Sequence, residues 1–318
     1  MNSRESKCAR ESKFDSIVIP ESFRLRYEPL VDNPSAFFET IRKPLKRSFR
    51  VNTLKSTCDE IENRFDTYGI EIKQTKWLPL AYVSENPDIG STLESFLGKI
   101  YIQELTSMLP PLVVEEEIRN ARSILDSCAA PGSKTTQIAA LMSHGGTLLA
   151  SDINYSRIRA LKNNINKVGA TNCVIANQDL REFPKVEFDI VFFDAPCSSD
   201  GTLRKSPNIL PSWTEKKINR FTNLQKIMIL KAFDLVRRGG TLVYSTCAFS
   251  PEENEEVVDY LLRKRDASIA PITLPGITLG DGLTNWAGAE FDSQLSKTRR
   301  VWPHHNDTGG FYIAKILK

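Results

Sequence analysis

Histidine is scarce in this chain: His144, His304 and His305 are the only three among 318 residues. That scarcity argues against a histidine-based triad and moves acid–base chemistry onto carboxylates, lysines or thiols. No two of the six cysteines form a C-x-x-C pair, and none stands near a histidine at zinc-ligand spacing, so no metal site is expected. No apolar run approaches the roughly 18 residues of a membrane span, so no membrane partner is expected either. The opening stretch, "MNSRESKCARESK", has no apolar core of the secretory kind and reads as a short polar tail. G-x-G-x-x-G and the Walker loop are also missing, which speaks against a dinucleotide or a nucleoside triphosphate.

What is present is ordinary for a globular chain: 41% hydrophobic and 25% charged residues, enough for one large domain or two smaller ones. Scattered thiols suit a reducing, cytoplasmic setting. The net charge is +3, and the pI near 8.4 lies below the range of about 9 and above that marks a dedicated nucleic-acid domain. Distribution says more than the total. "RKPLKRSFR" (42–50) holds five basic residues and no acid, with Phe49 among them. "LRKS" (203–206), "KKINR" (216–220) and "KTRR" (297–300) are further clusters. Any one reads equally well as a solvated face; four together point to a polyanion, held by phosphate neutralisation.

From about Arg42 to Ile100 the pattern predicts a small α/β unit. "SFRVNTL" (48–54) alternates as a half-buried strand, Ser56 is placed to cap a helix that Gly69 ends, and "IEIKQTKW" (70–77) reads as a second strand. "GKIYIQELTSMLPPLVVEEEI" then leads by a helix into a second domain. From Ser123 strands and helices alternate: strands at 123–126, 147–151, 172–176, 188–193 and 241–245, and helices over 132–143, 154–168, 215–236 and 251–265. A last strand, 310–317, closes the chain. This is the pattern of a mostly parallel, doubly wound sheet, which binds ligands at the carboxyl ends of its strands.

The residues at those ends are chemically suggestive. The first strand runs into "DSCAAPGSKT" (126–135), a small-residue turn that lets backbone approach a ligand. A generic tight turn is the bland alternative. Asp152 ends the second strand, 26 residues after Asp126, where an acid can hold a ribose diol. Asp179 follows the third. Three acids at successive strand ends, without pyrophosphate glycines, fit a nucleoside cofactor with no bound phosphate. The fourth strand ends in "DAPCSSDGT", bringing Asp194, Pro196 and Cys197 to this edge, and the fifth ends in "STC", bringing Cys247. Cys8, Cys58 and Cys173 read as inert small hydrophobes. Cys247 stands just before a helix opened by Ser250 and Pro251, whose amides are expected to lower its pKa.

Together, "DSCAAPGSKT", "SDIN", "FFDAPCSSDGTLRKSP" and "YSTCAFSPEENEEVV" resemble the Sun/Nop family of S-adenosylmethionine-dependent RNA cytosine-5 methyltransferases. "FRVNTLK", "GKIYIQELTSMLPPL" and "RRVWPHHNDTGGFYIAKI" are similar too, so the likeness runs from about Phe49 onward in the family's order. Two departures are Ser133, where the family usually has a second glycine, and "SSDGT", where "SGTGT" is commoner.

The resemblance implies a Rossmann-like class I methyltransferase domain over 101–318, preceded over 1–100 by the tail and a small RNA-recognition-like α/β domain. It implies S-adenosyl-L-methionine as cofactor, held by Cys128, Ala129, Ala130, Pro131, Gly132, Ser133 and Lys134, with Asp152 on the ribose, Asp179 on the adenine side and Asp194 nearby. It implies Cys247 as the nucleophile, with Cys197, Asp194 and Lys134 completing the catalytic set. RNA is the implied partner, transfer RNA before ribosomal RNA, with the enzyme acting as a monomer. Two alternatives carry less. An amino-group methyltransferase would show [DN]-P-P-[YF] where this chain has "DAPC". A non-catalytic RNA-binding factor of the same fold would not need both thiols.

Overall fold

The computed structural model describes residue 14 and residues 17–318. The polar opening stretch, Cys8 included, therefore lies outside the described residues. Two sheets organise the rest. The smaller is antiparallel, in the order β2–β3–β1–β4, from β1 (Arg47–Val51), β2 (Lys73–Gln74), β3 (Ala81–Ser84) and β4 (Ile100–Ile102). Strand alternation sends Phe49 to one face, where it stacks on Tyr82 at 5.4 Å between ring centroids and meets Phe65 edge-on at 5.6 Å. Phe65 belongs to a helix over Cys58–Thr67 that covers this face with Ile61.

Several expectations for this unit need correction. The helix is capped by Thr57, whose hydroxyl accepts from the Glu60 amide at 3.2 Å, and not by Ser56, which donates to the Glu60 carboxylate at 2.6 Å. The strand expected over 48–54 stops at Val51, because the buried Asn52 side chain turns to donate to Gly98 O and Val168 O, both at 2.8 Å. The strand expected over 70–77 shrinks to Lys73–Gln74, an exposed edge pair. No single helix leads into the second unit: Pro110 and Pro111 sit in a short turn, Leu109–Leu112, and a separate short helix follows over Glu115–Asn120.

The larger sheet runs β11–β14–β15–β9–β8–β5–β6–β7, with β10 (Ser268–Ala270) pairing with β15 off this path, while β12 (Asn285–Trp286) and β13 (Ala289–Glu290) form a separate hairpin pair. Its parallel centre is β5 (Ser123–Asp126), β6 (Thr147–Ser151), β7 (Cys173–Ala176), β8 (Phe188–Asp194) and β9 (Val236–Thr246). On the other flank β15 (Phe311–Leu317) runs antiparallel to β9 and to β14 (Arg299–Val301), which pairs with β11 (Gly280–Asp281). Both faces are buried. Val191, Phe193, Leu242 and Tyr244 pack under the helix Glu215–Asp234, while Ile190, Phe192 and Val243 face the helix Ser133–Met142. The helix expected from 251 is broken. Pro251–Glu253 forms a 3₁₀ turn, Asn254 breaks the run at ψ −95°, and the α-helix spans Glu255–Lys264.

Residues 21–41 pack on the larger unit, not on the small sheet. Two short helices, Glu21–Tyr27 and Pro34–Thr40, set Phe23, Tyr27, Phe37 and Phe38 against Trp213, Phe249 and Trp302. No helix of the described residues is long and apolar enough to cross a membrane.

Candidate active site

The strand ends converge as the alternation requires. Asp126, at the end of β5, is buried; burial pushes its carboxyl up to about 6, and the Thr135 hydroxyl donates to it at 2.6 Å. It ties the turn to the start of the next helix. In that turn the Ala130–Pro131 peptide is cis, and Gly132 takes φ +107°, a conformation side chains disfavour. Asp152, at the end of β6, accepts from the Ala130 amide at 3.2 Å and lies 3.4 Å from Arg157 Nη1. One acid thus fixes the turn and presents a buried carboxylate beside it. Asp179 accepts from the Arg181 guanidinium, which holds its carboxyl below the usual range. Cys128 is half-buried, and burial drives its thiol well up, so it is unreactive. Ser133, the departure from glycine, is the first residue of the helix Ser133–Met142 and lines the cavity described below.

At the ends of β8 and β9 the groups touch. Lys134 Nζ donates to Asp194 Oδ2 at 2.6 Å and to the Ser107 hydroxyl at 3.2 Å, while the Ser245 hydroxyl donates to Asp194 Oδ1 at 2.8 Å. The sulfurs of Cys197 and Cys247 lie 3.2 Å apart, both as free thiols. The hydrogen bond with Cys247, then burial, pushes Cys197 far above the ordinary thiol range. An open cavity of about 220 Å³ has Cys247, Lys134, Asp194 and Phe311 on its inner wall and Lys46, Arg47 and Lys205 at its walls. Close backbone packing shapes this wall: a Cβ on Gly201 would come within 2.6 Å of Gly310 O and 2.8 Å of Cys247 O.

The segment opened by Ser250 and Pro251, whose amides were expected to act on Cys247, is a 3₁₀ turn over Pro251–Glu253: Pro251 has no amide hydrogen, and Glu253 N donates to Ser250 O at 3.1 Å. The basic clusters also need correction. Arg50, Arg204 and Arg300 are each about 98–99% buried and serve as internal struts, leaving their neighbours for solvent. Four supporting groups escaped the sequence reading. Ser107 and Ser245 hold the Lys134–Asp194 pair, and two buried acids hold the loop between β8 and the second thiol. Asp200 accepts from the Tyr27 hydroxyl at 2.5 Å, and Glu253 from the Ser198 amide at 2.7 Å. The run "PEENEE" was legible as the acidic start of a helix, but nothing in it marks which acid turns inward.

Fold and site together define a Rossmann-like methyltransferase with a paired-thiol centre. Family models match over nearly all the described residues: 16S rRNA methyltransferase RsmB/F over 114–317, and the N-terminal domain of 16S rRNA methyltransferase RsmF over 19–105. The chain belongs to this family, the Sun/Nop RNA cytosine-5 methyltransferases. It is 39% identical to the tRNA (cytosine(49)-C(5))-methyltransferase of Pyrococcus abyssi, over 92% of this chain and 94% of that one. It is 37% identical to the ribosomal RNA small subunit methyltransferase F of Shewanella piezotolerans, over 89% of this chain but 60% of the relative. The solved methyltransferase homolog protein from Pyrococcus horikoshii superposes with a TM-score of 0.84 at 32% identity, over 98% of this chain and 99% of that one.

Proposed function

We propose that this chain transfers a methyl group from S-adenosyl-L-methionine to carbon 5 of cytosine in RNA, with transfer RNA as its substrate. The observation that carries this reading is the pair of thiols 3.2 Å apart beside the Lys134–Asp194 pair. The donor set fits the cofactor. A small-residue turn leaves room for the methionine end, the buried Asp152 suits a ribose diol, and Asp179 lies on the same edge for the adenine. When bound, the cofactor supplies an electrophilic sulfonium methyl group.

The remaining chemistry falls to the chain's own residues. Carbon 5 of cytosine is a poor nucleophile until a thiolate adds to carbon 6 and turns the ring into an enamine. Cys247 makes that bond, because it faces the cavity. Asp194 meets the N3 and amino edge of the ring, held in place by Lys134 and Ser245. Cys197, whose sulfur lies 3.2 Å from that of Cys247, acts on the adduct as a thiolate, its own proton having passed to solvent, and takes the proton from carbon 5. Loss of that proton expels the Cys247 sulfur and restores the aromatic ring.

In this reading the small sheet with its helix Cys58–Thr67 forms the RNA-binding unit, and the larger sheet with its helices forms the catalytic one. Because two adjacent thiols must stay reduced to act, the setting is the cytoplasm. The identity to a transfer-RNA enzyme over 94% of its length favours transfer RNA; the identity to a ribosomal-RNA enzyme makes that substrate the second reading. Incubation with methyl-labelled cofactor and either transfer-RNA or ribosomal-RNA transcripts, followed by bisulfite sequencing, decides between them. Label in transfer RNA is expected, and label in neither RNA would refute the assignment.

A further inference from the structure

The expectation of no metal site rested on cysteine spacing, but the fold makes a cluster without cysteine. His304 and His305 meet Asp32 across 272 and 273 residues of sequence. His304 Nε2 lies 2.8 Å from Asp32 Oδ1, and His305 Nε2 lies 3.0 and 2.9 Å from the two carboxylate oxygens. One ligand atom from each residue falls within 4.8 Å of the others, and among the described residues this is the one such group. None of the three takes part in the chemistry derived above. We propose that Asp32, His304 and His305 bind a divalent transition-metal ion, zinc(II) foremost.

Two imidazoles and a carboxylate are a zinc donor set, with a fourth position left to water. In a tetrahedral site with bonds of about 2.0–2.1 Å, ligand atoms stand roughly 3.3 Å apart. The nitrogen–oxygen separations here are a few tenths of an ångström shorter, and Asp32, exposed at the surface, is free to swing outward and admit an ion. The imidazoles are already held. His304 packs edge-on to Phe37 at 5.9 Å between centroids, and the two histidine rings are 4.2 Å apart. Both Nδ1 atoms are buried without partners, so Nε2 is the nitrogen that each ring presents.

The location gives the ion a purpose. Asp32 lies between the two N-terminal helices, and the histidines precede Gly309 and Gly310, which border the active-site cavity. A bound ion would staple those helices to the cavity wall and stabilise the fold by mass action.

The test strips the full chain with chelator, adds zinc(II), and follows metal content and melting temperature in wild type, Asp32→Ala and His305→Ala. Wild type is expected to take up one ion at this site and to melt several degrees higher with zinc. Each variant should bind roughly tenfold more weakly or worse and lose the rise. Asp32→Ala removes an exposed side chain, which guards against simple misfolding. Absence of any rise, or a rise that survives in both variants, overturns the proposal. Cobalt(II) substitution reports the ligands directly: a spectrum without thiolate charge transfer supports the site, whereas a thiolate band would assign the ion to Cys197 and Cys247 and overturn it.

Discussion

Glu253 offers a prediction whose size comes from the structure. Its side chain is fully buried behind the Pro196–Ser198 turn, where Oε1 accepts from Ser198 N at 2.7 Å and from Gln225 Nε2 at 3.3 Å, and Oε2 has no partner. Burial, with the charge of Asp200 adding to it, raises the carboxyl from 4.5 to about 8. A carboxyl raised in the folded state binds more protons folded than unfolded. Its contribution is therefore whole below about 4.5 and declines as pH rises toward about 8. At about 1.4 kcal/mol per pH unit, that interval is worth roughly 5 kcal/mol as an upper limit.

Glu253→Gln keeps an oxygen for Ser198 N and has no charge to bury. Relative to wild type, the variant should gain stability steadily across the interval from about 4.5 to about 8, by several kcal/mol in all, and stay level above it. Urea unfolding of both proteins along a pH series measures the difference, and other titrating groups cancel in it. The absolute offset will include about 1–3 kcal/mol for an amide nitrogen placed where Oε2 lacks a partner, so the slope is the diagnostic. Two parallel stability curves would refute the reasoning.

Cys197→Ala should form the carbon 6 adduct and fail to release it, leaving a slow-migrating RNA–protein band on a denaturing gel; trapping by Cys247→Ala instead would reverse the two roles. Asp152→Asn should weaken cofactor binding by about 10- to 150-fold, the worth of a charge-assisted acceptor at roughly 1.5–3 kcal/mol, and unchanged affinity by calorimetry would remove Asp152 from the site. Replacing Lys46 and Arg47 together with Ala should flatten the log–log salt dependence of RNA binding by roughly 1.4–1.8; an unchanged slope would make that stretch a solvated face.

The central strands were legible because most carry a short apolar run with an acid or cysteine at or just beyond its end, and the limits of β5 and β6 agree with the sequence reading to the residue. The small sheet was not. β2 is two residues long and β4 three, both shorter than a pattern needs to stand out. The thiol pair was expected to share an edge, but its contact depends on how the turns after β8 and β9 fold toward each other. The Asp32–histidine cluster was beyond local reading altogether, since its members meet only through tertiary packing.

The basic clusters show why composition misleads at single positions. Alternation in β1 puts Arg50 opposite Phe49, and the second face of that strand is covered by the larger unit, where Arg50 donates to Gln103 Oε1 and Thr136 Oγ1, both at 3.3 Å. Arg204 donates to Lys43 O at 3.0 Å and Thr308 O at 3.0 Å, and pairs with Asp307 at 2.6 Å. Arg300 donates to Glu255 Oε1 at 2.6 Å and Phe249 O at 2.8 Å. Three of the four basic runs thus divide their labour: one arginine turns inward to join segments distant in sequence, and its neighbours remain outside. Breaking a buried charge pair such as Arg300–Glu255 leaves an unpaired ion, at a cost of about 3–5 kcal/mol. Through Arg50 and Arg204 the strand and loop that carry Lys46 and Arg47 are fixed against the walls of the catalytic cavity. On the proposed reading, a base held by RNA contacts on one unit is thereby held in register with the thiols on the other.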